Sequence, residues 1–230
     1  MTARRVLIWR HGRTGWNASG RIQGQADVLL DPVGVAQVEE AAPLLAAEAP
    51  DVIVASDLAR ARHTADALAA LTGLPVRLDA RLRETAFGPW QGLTQLEIAQ
   101  RWPEAYERWQ RGEPPGLPGM ERPEQVAARM RLVIEDVLAA TEGTLVVVTH
   151  GGAARRAVQA LLGWPDEVVV RLGVLGNCRW TELRHTARGW RLHAHNAGPL
   201  AGVAGAAVPV ATADVEPAAG EVLTSSPTPR

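Results

Sequence analysis

Three apolar runs in this chain end on residues that could handle a phosphoryl group. Residues 6–9 run into Arg10-His11-Gly12, residues 52–55 into Ser56-Asp57 with Arg60 close behind, and residues 144–149 into His150-Gly151-Gly152. A neutral imidazole is a nucleophile near pH 7, and a guanidinium is a planar fork that grips phosphate through two hydrogen bonds. All 24 basic residues are Arg and none is Lys, so Schiff-base and P-loop lysine chemistry are absent and anions must be held by guanidinium groups. The expected ligand is a phosphoryl group. The competing reading, a metal held by His11, Glu84 and His150, has two cationic side chains, Arg10 and Arg60, at the same centre to repel the ion. No metal and no cofactor are therefore expected.

These residues need a scaffold that brings strand ends together. Each apolar run is followed by a turn and then by apolar residues at helical spacing: Val35, Val38, Ala42 and Leu45 after Asp31-Pro32; Leu58, Ala61, Ala65 and Leu68 after a capping Ser56/Asp57 pair; Ala153, Ala157, Val158 and Leu161 after His150-Gly151-Gly152. Three strand-turn-helix units predict an α/β fold in which a mostly parallel sheet carries helices on both faces. The crevice of such a sheet lies at the carboxyl ends of its strands, where Arg10, His11, Arg60 and His150 stand. As a loop residue, His11 is expected to contribute little to the core. Residues 93–111 and 121–140 read as helices flanking the loop GEPPGLPG, and WTELR and WRLHAHN within 173–196 as strands. From residue 197 onward, 9 Ala, 4 Gly and 5 Pro fill 18 of 34 positions, a composition that predicts a disordered tail over 197–230.

RHGRTGWN, the Arg21-Ile22-Gln23-Gly24 stretch, SDLARARHTA, RLRETAFGPWQG and VVTHGG together resemble the histidine phosphatase (phosphoglycerate mutase-like) superfamily over about residues 6–196. The resemblance implies a three-layer sandwich over 1–196 with a helical insertion at about 93–140. It also implies a mechanism in which His11 is phosphorylated, Arg10, Arg60 and His150 hold the phosphoryl oxygens, and Asn17, Gln23 and the Gly24 and Gly151 amides add neutral donors. Glu84 matches the proton donor, first acid and then base; its alternative is a surface ion pair with Arg83 or Arg81. A narrower likeness, carried by GRIQGQADVLLD, RLRET.FG.WQGLT and the GN.RWTEL block, is to actinobacterial phosphatases of a glucosylated glycerate phosphate. It points to a sugar or glycerate phosphate as substrate.

Hydrolase and mutase share a phosphohistidine step and differ in whether water or a second substrate oxygen accepts the group. Only 65 residues separate Glu84 from His150, short for the insertion that the resemblance associates with mutases, so a phosphatase is expected and a mutase is the second choice. A phospholigand sensor that does no chemistry is a third reading. Where many relatives read Gly-Gly-Glu-Ser this chain has Gly119-Met120-Glu121-Arg122, which puts that loop's substrate contacts in question. His193 and His195 share one side of a strand and read as a polar face more readily than as a metal pair.

The remaining composition narrows the partners. A net charge of -1 supplies no field for nucleic acid or a membrane surface, so the expected partner is a small phosphorylated substrate. One cysteine, Cys178, cannot form an internal disulfide, and the apolar stretch before Arg10 is too short for a signal core or a membrane span. A cytoplasmic protein is expected, and a homodimer is left open.

Overall fold

The computed structural model describes residues 4–199. Positions 200–230 of the expected tail lie outside the described residues. Strand β1 (Arg5–Arg10) leads into one helical turn, α1 (Gly15–Ala18), and then α2 (Pro32–Ala47). Next come β2 (Val52–Ala55), α3 (Ala59–Thr72) and the short β3 (Val76–Leu78). After 3-10 turns at Ala80–Leu82 and Gly88–Trp90, the chain forms α4 (Gln95–Arg101), α5 (Pro103–Gln110) and α6 (Pro123–Ala139). It closes with β4 (Thr144–Thr149), α7 (Gly151–Leu162), the turn α8 (Asp166–Val169) and the hairpin β5 (Trp180–Thr186) and β6 (Gly189–Ala197).

The six strands form one sheet in the order β3-β2-β4-β1-β5-β6. The first four run parallel, β5 pairs antiparallel with β1 and β6 antiparallel with β5, which is the mostly parallel α/β sheet expected. Because successive residues of a strand face opposite ways, β1 feeds two cores. Val6 and Ile8 join Val54, Leu145 and Val147 against α6 and α7, while Leu7 and Trp9 join Ile53, Val146 and Val148 against α2 and α3. All four β1 residues are fully buried, each contributing about 1.5–3 kcal/mol, and this fixes the strand whose end carries Arg10 and His11. A third, smaller cluster of Ile22, Trp90 and Ile98, covered by Trp102, Tyr106 and Trp109, seats α4 and α5 beside the cleft.

Local sequence signals set most boundaries. Asp31 caps α2 by accepting the Gly34 amide at 2.8 Å, with Pro32 at the first helical position. Gly73 and Gly163 end α3 and α7 in left-handed conformations. Four details differ from the sequence reading. The Ser56/Asp57 pair does not cap α3: Leu58 occupies that position, Asp57 pairs with Arg83, and the Ala59 amide is taken by Asp27 Oδ1 at 2.7 Å from a distant loop. The helix expected over 93–111 breaks at Trp102, because the residue before Pro103 avoids helical geometry. Helix α1 and strand β3 were not anticipated, being too short for a periodic pattern.

Candidate active site

Arg10, His11, Asn17, Gln23, Gly24, Arg60 and Glu84 line one cleft, with Ile22 and Phe87 as its apolar wall. The end of β1 supplies Arg10, the loop after it His11, and α1 Asn17. In the capping box of α1, Thr14 Oγ1 accepts the Asn17 amide and Asn17 Oδ1 accepts the Thr14 amide, both at 3.1 Å. This pairing uses the Asn17 carbonyl oxygen and leaves its Nδ2, buried, with no protein acceptor. Arg10 is held through Nη1 on the Leu175 carbonyl at 2.6 Å, and its Nε is likewise buried without a partner. Unsatisfied buried donors are costly. Two of them in one cleft, one on a guanidinium and one on a neutral amide, suit an anion that accepts from both.

His11 is only 2% exposed, contrary to the expectation drawn from its loop position, because its ring packs 5.1 Å from that of His150. Its Nδ1 lies 2.7 Å from the Gly12 carbonyl, which can only accept, so Nδ1 carries the proton and Nε2 the lone pair. Burial first, then the charges of Arg60 and Arg10, hold the ring well below its usual protonation range. His11 is therefore a neutral imidazole whose Nε2 carries a lone pair at neutral pH.

Arg60, at the start of α3, spans the cleft floor. Its Nη1 and Nη2 donate to the Ala26 and Gly24 carbonyls at 2.7 and 2.8 Å, and its Nε to His150 Nδ1 at 3.2 Å. Burial lowers its pKa to about 10, which still leaves it charged at neutral pH. Gly24 has φ +52, and a Cβ there would stand 2.2 Å from Gln91 Oε1, so only glycine lets this turn present its carbonyl to Arg60. His150 is fully buried, one layer beneath the cleft: Nδ1 accepts from Arg60 and Nε2 donates to Ser56 Oγ at 2.9 Å. As placed, it supports Arg60 rather than lining the cleft. Gly151 opens α7 beside it.

Glu84 reaches across to the first turn of α7. Its Oε2 accepts the Gly152 amide at 3.0 Å, and its Oε1 those of Ala153 at 2.9 Å and Thr85 at 2.7 Å. A helix N-terminus favours an anion, so the carboxylate is seated by the strand-turn-helix unit that carries His150. A Cβ on Gly152 would come within 2.8 Å of Glu84 Oε1. The alternative surface pairs are made by other residues: Arg83 with Asp57, and Arg81 with Asp79 and Asp136.

Residues 6–198 match the model of the histidine phosphatase superfamily, branch 1. The chain belongs to the histidine phosphatase superfamily. Among the relatives of this histidine phosphatase is the glucosyl-3-phosphoglycerate phosphatase of Mycobacterium tuberculosis, 39% identical over 214 residues that cover 86% of this chain and 96% of that one. A probable phosphoglycerate mutase of Yersinia enterocolitica is 34% identical over 191 residues, covering 80% and 86%. The solved mycobacterial glucosyl-3-phosphoglycerate phosphatase with VO3 superposes with a TM-score of 0.77 at 40% identity, covering 85% of this chain and all of that one.

Several residues that shape the cleft were given no part in it from the sequence. Arg60 on Nδ1 fixes the tautomer of His150, and Ser56 Oγ accepts from its Nε2. Asn177 Nδ2 and the Cys178 amide hold the His11 carbonyl at 3.0 and 3.3 Å, and the Leu175 carbonyl anchors Arg10. Asn177 and Cys178 stand in the GN.RWTEL block, which gave a likeness and no role. Among the described residues no three His, Cys, Asp or Glu side chains are grouped as metal ligands. His195 bonds Thr181 Oγ1 and the Gly173 carbonyl through its two ring nitrogens, both at 2.8 Å. No helix of the described residues is long and apolar enough to cross a membrane.

The depressed pKa values of His11 and His150, both first of all from burial, predict a pH dependence of folding. Below pH about 6.5 the unfolded chain protonates both rings while the folded chain keeps them neutral, so the unfolded state binds more protons and stability falls. Each ring contributes up to about 1.4 kcal/mol per pH unit in this window. The denaturant midpoint of the ligand-free protein should drop steadily from pH 7 to 5, above the range where the lowered carboxyls of Asp57 and Asp79 begin to protonate. A flat midpoint over that interval would contradict neutral burial of the two rings.

Proposed function

We propose that this histidine phosphatase hydrolyses a small phosphomonoester through a phosphohistidine at His11, with glucosyl-3-phosphoglycerate or a related sugar or glycerate phosphate as substrate. The observation that carries this reading is the neutral His11 ring set between two guanidinium groups, with buried donors on Arg10 and Asn17 left for an incoming anion. Arg10 and Arg60 take the phosphoryl oxygens, Asn17 and Gln23 supply neutral contacts, and His150 keeps Arg60 in place. His11 Nε2 forms a bond to phosphorus as the ester oxygen leaves, and that oxygen takes the Glu84 proton. Water then attacks the phosphohistidine, Glu84 takes its proton, and the nitrogen–phosphorus bond breaks to release inorganic phosphate. Most of the rate comes from positioning and charge stabilisation, which buried arginines provide.

Hydrolysis is favoured over mutase transfer by the short stretch of 65 residues between Glu84 and His150. The substrate is proposed from the mycobacterial relatives and from the shared block at 20–31. The test is a panel of phosphorylated metabolites, including glucosyl-3-phosphoglycerate and 3-phosphoglycerate, scored by kcat/KM for phosphate release. Transfer to a phosphoglycerate acceptor in place of release would assign the protein to the mutases. Activity should survive dialysis against excess EDTA, since guanidinium groups neutralise the phosphoryl charge. Loss in chelator, with recovery on adding a divalent ion, would return the metal reading of His11, Glu84 and His150. We place the enzyme in the cytoplasm, on its lone buried Cys178.

A further inference from the structure

The loop that carries Glu84, residues 83–87, has no helix or strand of its own, yet it must place a carboxyl group to within a fraction of an ångström. Gln25 Nε2 donates to the Glu84 carbonyl at 3.1 Å, but more of the bonds to this backbone come from α6. Arg129, on α6, donates from Nη1 to the carbonyls of Arg81 and Arg83, both at 2.6 Å, and from Nη2 to that of Glu84 at 3.0 Å. The other edge of the same guanidinium meets Glu121: Nε to Oε1 at 2.8 Å and Nη2 to Oε2 at 2.9 Å. Glu121 Oε2 in turn accepts the Ala86 amide at 2.8 Å, and the Glu121 amide donates to the Ala86 carbonyl at 2.9 Å.

Two side chains thus grip the backbone on both sides of Glu84. The grip is rigid at its base, because Val126, Met130 and Val133 of α6 are fully buried in the core. It is also shielded, with the Arg129 and Glu121 side chains 15% and 22% exposed. Only a guanidinium offers enough donors, in one plane, for three carbonyls and a carboxylate. Glu121 is the residue that Gly119-Met120-Glu121-Arg122 shares with the Gly-Gly-Glu-Ser pattern, and its bonds to Arg129 and Ala86 give it a use apart from substrate contact.

We propose that Arg129, buttressed by Glu121, is a positioning residue that sets Glu84 for both proton transfers. The proposal rests on the reading of Glu84 as acid and base. The test is a cycle of Arg129→Lys, Glu84→Gln and the double variant, each assayed with glycerol 2-phosphate and with p-nitrophenyl phosphate. Arg129→Lys keeps the charge and loses the fork. It should lower kcat for the alkyl ester by about 10–10²-fold, as displacement of a reacting group does, with KM and inhibition by inorganic phosphate nearly unchanged. With the aryl ester it should produce a burst, because breakdown of the phosphohistidine still needs Glu84. In the Glu84→Gln background the same substitution should change kcat by less than about threefold. Equal losses in both backgrounds and for both esters would overturn the proposal and leave Arg129 a structural residue. If Glu84→Gln itself spares the alkyl ester, the reading of Glu84 fails and takes the proposal with it, an outcome distinct from the first. Should Arg129→Lys fail to fold, Glu121→Gln goes through the same cycle with the same expected pattern, and its absence overturns the proposal.

Discussion

Replacing His11 by alanine is expected to lower kcat by a factor on the order of 10⁴ or more, the usual cost of removing a covalent nucleophile. The ring is 2% exposed and stacks near His150, so the variant also loses some packing. A loss of about 1–3 kcal/mol is the ordinary range for such a change, and it would lower the melting temperature by several degrees without unfolding the domain. The anion-holding groups remain, and inorganic phosphate should still bind. The decisive measurement is quench-flow with ³²P-labelled substrate, stopped in base, where phosphohistidine survives. Label should appear on His11 of the unaltered enzyme within a single turnover. Label on a serine or threonine, or none on the protein, would sink the covalent mechanism.

Glu84→Gln carries the second largest effect and separates two roles of one carboxyl. An alkyl phosphate has a poor leaving group, so losing the general acid should slow it by about 10²–10⁴-fold. An aryl phosphate departs as a stable phenolate and needs little protonation in the first step. Its phosphohistidine still has to be cleared by water without a base. Intermediate should therefore accumulate, and a burst of phenol release should precede a slow steady state. Small and equal losses for both esters, with no burst, would remove Glu84 from the chemistry. Glutamine can keep some of the contacts to the Gly152 and Ala153 amides, so the comparison isolates the transferable proton better than a truncation would.

The fold was legible where a residue's partners are near in sequence or where burial imposes a period. The apolar runs of β1, β2 and β4 announced central strands because both faces of those strands are covered, and Asp31-Pro32 and Gly73 announced helix ends because capping is a local hydrogen-bonding problem. Strand β3 and helix α1 carried too few residues for a period to show. The cap on α3 was misread because its acceptor, Asp27, stands 32 residues away from the Ala59 amide.

The same division runs through the site. The sequence alone determined which chemistry was available: two histidines and two arginines at strand ends, no lysine, and motifs that placed the chain in its family. Tertiary structure decided what each group does, because a buried polar atom takes whichever partner the packing brings to it. His150 lies beneath the cleft with both ring nitrogens engaged because α3 delivers Arg60 to one and the end of β2 delivers Ser56 to the other. Glu84 sits on α7, 68 residues away, and is steadied by Arg129, 45 residues away. No local pattern encodes contacts of that span. They exist because the order β3-β2-β4-β1 sets the carboxyl ends of the parallel strands along one edge of the sheet, with α6 and α7 against the same face.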